Sequence, residues 1–189
     1  MGEHIEFPSN GHTCNGYLAR PSSGSAPGVV VIQEWWGLVP HIEQVCDRFA
    51  AEGFIALAPD LYHGKKTKEP DEAGKLLMAL DLDRAAQDMK GAAGWLLGEG
   101  GADGDGVGIV GYCMGGALAL YAGTVSETFS AIVAYYPAFP AIQKGKPDFH
   151  QVKGAVQGHF AEQDNDGNRQ PVEDLERQLE EAGVPADFH

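Results

Sequence analysis

A chain of 189 residues with 43% hydrophobic content has the size of one domain built on one core, and residues 1–189 are read as a single domain. Its 27 acidic residues against 13 Lys and Arg give a formal charge of −14, which repels polyanions at long range and excludes nucleic acid and anionic membrane surfaces as expected partners. No apolar run approaches ~20 residues and no basic-then-apolar leader opens the chain, so neither a membrane span nor a secretory signal is predicted and a cytoplasmic location is expected.

Ser9-Asn10-Gly11 separates Ile5-Glu6-Phe7 from Thr13 to Ala19, and Asn-Gly is a strong two-residue turn signal. Residues 3 to 20 are therefore predicted as a β-hairpin with Cys14 as a structural residue on its second strand. Pro21 to Gly28 is a small-residue connector. The β-branched run Val29-Val30-Val31-Ile32 predicts a strand buried on both faces, the start of a parallel sheet. It hands over to Gln33-Glu34-Trp35-Trp36-Gly37, an acidic residue and two indoles at the carboxyl edge, where open α/β sheets bind ligands.

Ile42, Val45, Cys46, Phe49 and Ala50 follow helical spacing up to Gly53, which puts Cys46 in a helix core. The next strand, Phe54 to Ala58, ends in Pro59-Asp60-Leu61-Tyr62-His63-Gly64, and Lys65 to Asp71 reads as a polar loop. A helical region in two segments is expected between Ala73 and Leu97, with Trp95 covering the sheet. Gly98 to Gly106 is predicted as a turn-rich loop; its Asp103-Gly104-Asp105-Gly106 looks faintly like a calcium loop, but a turn before the next strand accounts for it.

Val107 to Tyr112 then reads as a strand, and Met114 to about Gly123 as a helix, with Cys113 at the junction. The form Gly111-Tyr112-Cys113-Met114-Gly115 admits two readings: a nucleophile exposed on a strained bend at a helix N-terminus, or a small buried hydrophobe in a tight junction. Gly106-Val107-Gly108-Ile109-Val110-Gly111 also spells a dinucleotide fingerprint, but its middle is the strand rather than the turn after one. Further strands are predicted over Ala131 to Pro137 and Val152 to Phe160, with Gln143 to His150 as the loop between them.

Glu162-x-Asp164-x-Asp166-Gly167 with Glu173 approaches the EF-hand pattern, yet it leaves a strand where an EF-hand loop leaves a helix. Pro171 is expected to open a helix over Val172 to Ala182, closed by Gly183, and Val184 to His189 reads as the start of a strand with no room to finish. The three cysteines form no Cys-x-x-Cys pair, which points away from a zinc site or disulfide framework; no metal or cofactor is expected. Strand alternating with helix implies a mostly parallel central sheet with helices on both faces.

Taken in order, Gln33 to Gly37, Pro59 to Tyr62, Gly111 to Gly116 and Gly158-His159-Phe160-Ala161-Glu162-Gln163-Asp164 resemble the dienelactone hydrolase family. The resemblance implies an α/β-hydrolase fold, a Cys-His-Asp triad and hydrolysis of an enol lactone to maleylacetate, with many relatives acting as broader esterases. It implies Cys113 as nucleophile, Asp164 as the acid that orients the histidine, and Glu34 as the glutamate that takes the thiol proton. An Asx turn or helix cap is the alternative for Asp164, and a solvated strand-end carboxylate the alternative for Glu34. The backbone N–H groups of Met114 and Trp35 form the implied oxyanion hole, and Trp36, Tyr62, His63 and Tyr136 are candidate substrate contacts.

The family's histidine falls on a loop past residue 189, since His189 matches a position ahead of it. Dienelactone-specific members carry an arginine after Asp-Leu-Tyr, where this chain has His63-Gly64-Lys65-Lys66, so Lys65 offers a point charge in place of a fork. The expected partner is a small ester or lactone. A general carboxylesterase and a non-catalytic binding domain are the competing readings.

Overall fold

The computed structural model describes residues 2–22, 24–142, 145–161, 163 and 169–189. Asn10 and Gly11, at φ 42° and 86°, supply the two left-handed positions of a tight hairpin turn between β1 (Glu3–Ser9) and β2 (His12–Ala19). The hairpin joins β3 (Ala26–Ile32), β4 (Ile55–Pro59), β5 (Ala102–Tyr112), β6 (Phe129–Tyr135), β7 (Ala155–His159) and β8 (Ala186–Phe188) in one sheet of order β1-β2-β4-β3-β5-β6-β7-β8. Among the described residues only the pairings β1 with β2 and β2 with β4 are antiparallel. This is the mostly parallel α/β architecture expected from the sequence.

The pleat of β3 distributes its apolar run between two cores. Val30 and Ile32 join the larger one, with Leu57, Ile109 and Ile132, under α3 (Leu82–Leu97) and α4 (Met114–Val125). Val29 and Val31 face the other side, where Ile42, Val45 and Cys46 of α1 (Pro40–Ala51) cover them. Residues Met114 to Thr124 of α4 are all buried, as their lack of a polar stripe requires. Leu175 and Leu179 of α5 (Arg169–Glu181) join the larger core.

Several boundaries differ from the sequence reading. The stretch Gly98 to Gly106 is a strand from Ala102 onward, because Ala102 and Asp103 pair with Ala26 and Pro27 before a register shift brings Gly108 opposite Val29. The Asp103 to Gly106 tetrapeptide is thus part of β5. The predicted polar loop ends early, at α2 (Pro70–Met78), whose first residue is a proline in the first helical position. Asp81 caps α3 by accepting from the Arg84 N–H and so divides it from α2. Pro171 lies in the first turn of α5 rather than at its first residue, where its missing N–H costs nothing. Among the described residues no helix is long and apolar enough to cross a membrane.

Candidate active site

The junction between β5 and α4 is built by backbone packed too closely for side chains. A Cβ on Gly111 would collide with the Gly115 carbonyl, and one on Gly115 would lie 2.5 Å from the carbonyl oxygens of both Ile32 and Gln33. One on Gly116 would meet the Tyr135 oxygen at 2.8 Å. These contacts draw the first turn of α4 down onto the ends of β3 and β6, and Cys113 is forced into φ 54°, ψ −117°. That conformation is costly for any residue with a Cβ, by about 1–3 kcal/mol. It is held by the Cys113 N–H donating to the Tyr135 carbonyl at 3.0 Å and by the Ala138 N–H donating to the Cys113 carbonyl at 2.9 Å.

Cys113 is half-buried, whereas Cys14 and Cys46 are fully buried. Burial, reinforced by Asp88 and Asp60, drives the Cys14 thiol far above its ordinary range, and burial pushes Cys46 up to about 12. Neither thiol ionises by itself at neutral pH, and Cys46 sits in the core under α1 as its helical spacing predicts.

Glu34, Trp35, Trp36, Tyr62, His63 and Tyr136 lie on the loops that follow β3, β4 and β6, at the same carboxyl edge. Tyr136, also left-handed at φ 37°, sends its hydroxyl to within 3.5 Å of Glu34 Oε1. Burial first, then negative charge at Glu34 and Cys113, pushes the Tyr136 phenol up to about 12, so it is a neutral hydrogen-bond donor at working pH. The Tyr62 hydroxyl donates to Met114 Sδ at 3.2 Å, which ties the loop after β4 to the first residue of α4. As the first helical residue, Met114 has an amide with no partner inside the helix. Trp35 packs against the larger core with its ring 5.0 Å from that of Trp36. Trp36 lines a mostly apolar cleft of about 470 Å³ with Val39, Pro40, His41, Thr67 and Lys68. Asp164, together with Glu162 and Asp166 of the EF-hand-like stretch, lies outside the described residues.

Two side chains that sequence reasoning passed over shape these loops. The buried Asp60 accepts from the Tyr62 N–H at 3.1 Å and the Gly64 N–H at 2.6 Å, bending Pro59 to Gly64 into the turn that leaves His63 at φ 50°. The buried Gln33 Oε1 accepts from the Leu61 N–H at 3.3 Å, fixing the loop after β3 to the loop after β4. A short polar residue after a strand signals the first; nothing local signals the second. His63 lies 3.2 Å from Asp88 and 3.4 Å from Arg84, and it shares a second cleft of about 190 Å³ with Tyr62, Lys65 and Arg84.

Comparison with known proteins places nearly the whole chain in one family. The model of the dienelactone hydrolase family matches residues 14–189. The Protein usf of Aquifex pyrophilus is 38% identical over 191 residues, spanning 97% of this chain and 81% of that protein. An Aquifex aeolicus protein provisionally named carboxymethylenebutenolidase is 32% identical over the same shares. A crystal structure from Klebsiella pneumoniae, provisionally described as a dienelactone hydrolase, superposes with a TM-score of 0.87 at 25% identity, covering 100% of this chain and 84% of that one. With residues 14–189 matched by the family model and relatives at 38% and 32% identity covering nearly the whole sequence, the chain belongs to the dienelactone hydrolase family and is a hydrolase of α/β-hydrolase fold.

Proposed function

We propose that this hydrolase opens enol lactones or cleaves activated carboxylic esters through an acyl-thioester on Cys113. The observation that carries the proposal is the strained elbow: a half-exposed cysteine is kept at φ 54° at the start of a helix, held there by the glycine packing around it. The positive end of the α4 dipole favours negative charge on the sulfur.

The sulfur attacks the carbonyl carbon, and the displaced electron pair settles on the carbonyl oxygen, which the Met114 and Trp35 amides receive. Collapse of this intermediate re-forms the carbonyl and expels the leaving oxygen. Water then attacks the thioester, its proton removed by a general base, and releases the acid and the cysteine. Glu34 is assigned as acceptor of the Cys113 proton when substrate arrives, with Tyr136 holding its carboxylate. Family resemblance assigns the base to a histidine oriented by Asp164.

Lactone substrates bearing their own carboxylate suit the cleft beside Tyr62, whose hydroxyl reaches Met114, because Lys65 and the Arg84 guanidinium line it against the one carboxylate of Asp81. A carboxylesterase indifferent to that charge is the alternative, and a substrate panel separates them. Because sulfur leaves a tetrahedral intermediate more readily than alkoxide does, enol lactones and nitrophenyl esters should react while ethyl esters and amides of the same acids should not. Comparable rates on ethyl and nitrophenyl esters of one acid would refute the thiol mechanism; no gain from a substrate carboxylate would favour the general esterase.

Glu34→Gln tests the proton acceptor. The acylation rate is expected to fall by about 10²–10⁴-fold with an unchanged Tm. Unchanged acylation would reduce Glu34 to a solvated strand-end carboxylate.

A further inference from the structure

Away from the elbow, the first hairpin, α3 and the loop after β4 meet around a buried carboxylate that the reaction does not use. Asp88 of α3 is fully buried, and Gly91 one turn later lets the helix approach the Ser9 backbone so closely that a Cβ there would sit 3.1 Å from it. One Asp88 oxygen, Oδ1, is held by the Ser9 hydroxyl at 2.6 Å and by His12 Nε2 at 2.9 Å. The other, Oδ2, has His63 Nε2 in ion-pair reach at 3.2 Å but, among the described residues, no aligned hydrogen bond. A buried carboxylate oxygen without a hydrogen bond is expensive. Cys14 Sγ completes the cluster, with one ligand atom each from Cys14, His63 and Asp88 lying within 4.8 Å of one another.

We propose that Cys14 Sγ, His63 Nε2 and Asp88 Oδ2 form a binding site for one divalent zinc-like cation, with Ser9 and His12 orienting the carboxylate from behind. Sulfur, imidazole and carboxylate are the donors zinc selects. In a tetrahedral zinc site such atoms stand about 3.3–3.6 Å apart, so the cluster needs only small adjustments to close on an ion. Two negative ligands neutralise the dication in a buried place, and three protein ligands leave a fourth position for water. The carboxylate held by outer hydrogen bonds from Ser9 and His12 is the supporting shell that metal sites carry. His12 and His63 side chains, 30% and 29% exposed, give the ion a way in. On binding, the Cys14 S–H releases its proton to solvent and the sulfur donates an electron pair to the metal. With Nε2 on the metal the His63 proton sits on Nδ1, so the exposed Arg84 guanidinium, 3.4 Å from Nδ1, must turn away.

The test uses Zn²⁺ and Co²⁺ alone, titrated into the metal-free chain with affinity and absorption recorded. One equivalent should bind, and Co²⁺ should give a near-ultraviolet thiolate-to-metal band. That band should persist in Cys113→Ala and Cys46→Ala and vanish in Cys14→Ser, whose circular dichroism confirms folding. His12→Ala should weaken binding about 10–100-fold, Asp88→Asn more, and Arg84→Ala should leave it equal or tighter. A chain that binds neither metal, a bound Co²⁺ without the thiolate band, or a band lost in Cys113→Ala but kept in Cys14→Ser would overturn the proposal, because each removes Cys14 from the site.

Discussion

Cys113→Gly is expected to abolish ester hydrolysis and at the same time make the protein more stable. On the proposed mechanism, removing the sulfur should cost up to about 10⁶-fold in kcat, the scale seen when the nucleophile of a Ser-His-Asp triad is removed. Glycine adopts φ 54°, ψ −117° without the Cβ clash, so part of the 1–3 kcal/mol of strain is relieved, offset by the greater flexibility of glycine in the unfolded chain. The net expectation is about 1 kcal/mol, a Tm rise of about 2–4 °C in a chain of this size. Cys113→Ala provides the comparison: it should be equally inactive but keep the strain, and so gain nothing. Equal Tm values for the Gly and Ala variants would show that the elbow stores no strain.

The second large effect is expected at Gly115. An added methyl there points at two backbone carbonyl oxygens, those of Ile32 and Gln33, and neither can move without shifting the end of β3. Gly115→Ala should therefore lose about 3 kcal/mol or more, a fall in Tm of about 6–12 °C, and should lose activity as well because the Met114 amide is displaced. Gly94→Ala is the control. A Cβ at Gly94 in α3 meets nothing within 4 Å, and alanine there should stabilise by up to about 1 kcal/mol through helix propensity. Calorimetry on both variants checks the pair; a Gly115→Ala protein as stable as Gly94→Ala would contradict the packing account.

Most of the architecture is legible in the sequence because it is written in local signals. Asn10-Gly11 specifies the hairpin, the unbroken Val29 to Ile32 run specifies a central strand, and the period of Ile42 to Ala50 specifies α1. The start of β5 is misread from the sequence because a neighbour decides it: Ala102 and Asp103 look like loop until Ala26 and Pro27 pair with them. Residues of the elbow were legible because the glycines around Cys113 are adjacent in sequence. By contrast, the Asp88 cluster draws Ser9, His12, Cys14, His63 and Asp88 from four segments, so no spacing rule detects it. The same holds for Gln33 and Leu61, joined only once β3 and β4 lie side by side.

The acyl-enzyme itself is the most direct test. The chain is mixed with excess nitrophenyl acetate, quenched at early times, digested and mapped by mass spectrometry while nitrophenolate release is followed. A burst of about one equivalent, with one acetyl group on the peptide carrying Cys113, is the predicted result. An acetyl group on another residue, or hydrolysis that proceeds undiminished in Cys113→Ala, would contradict it.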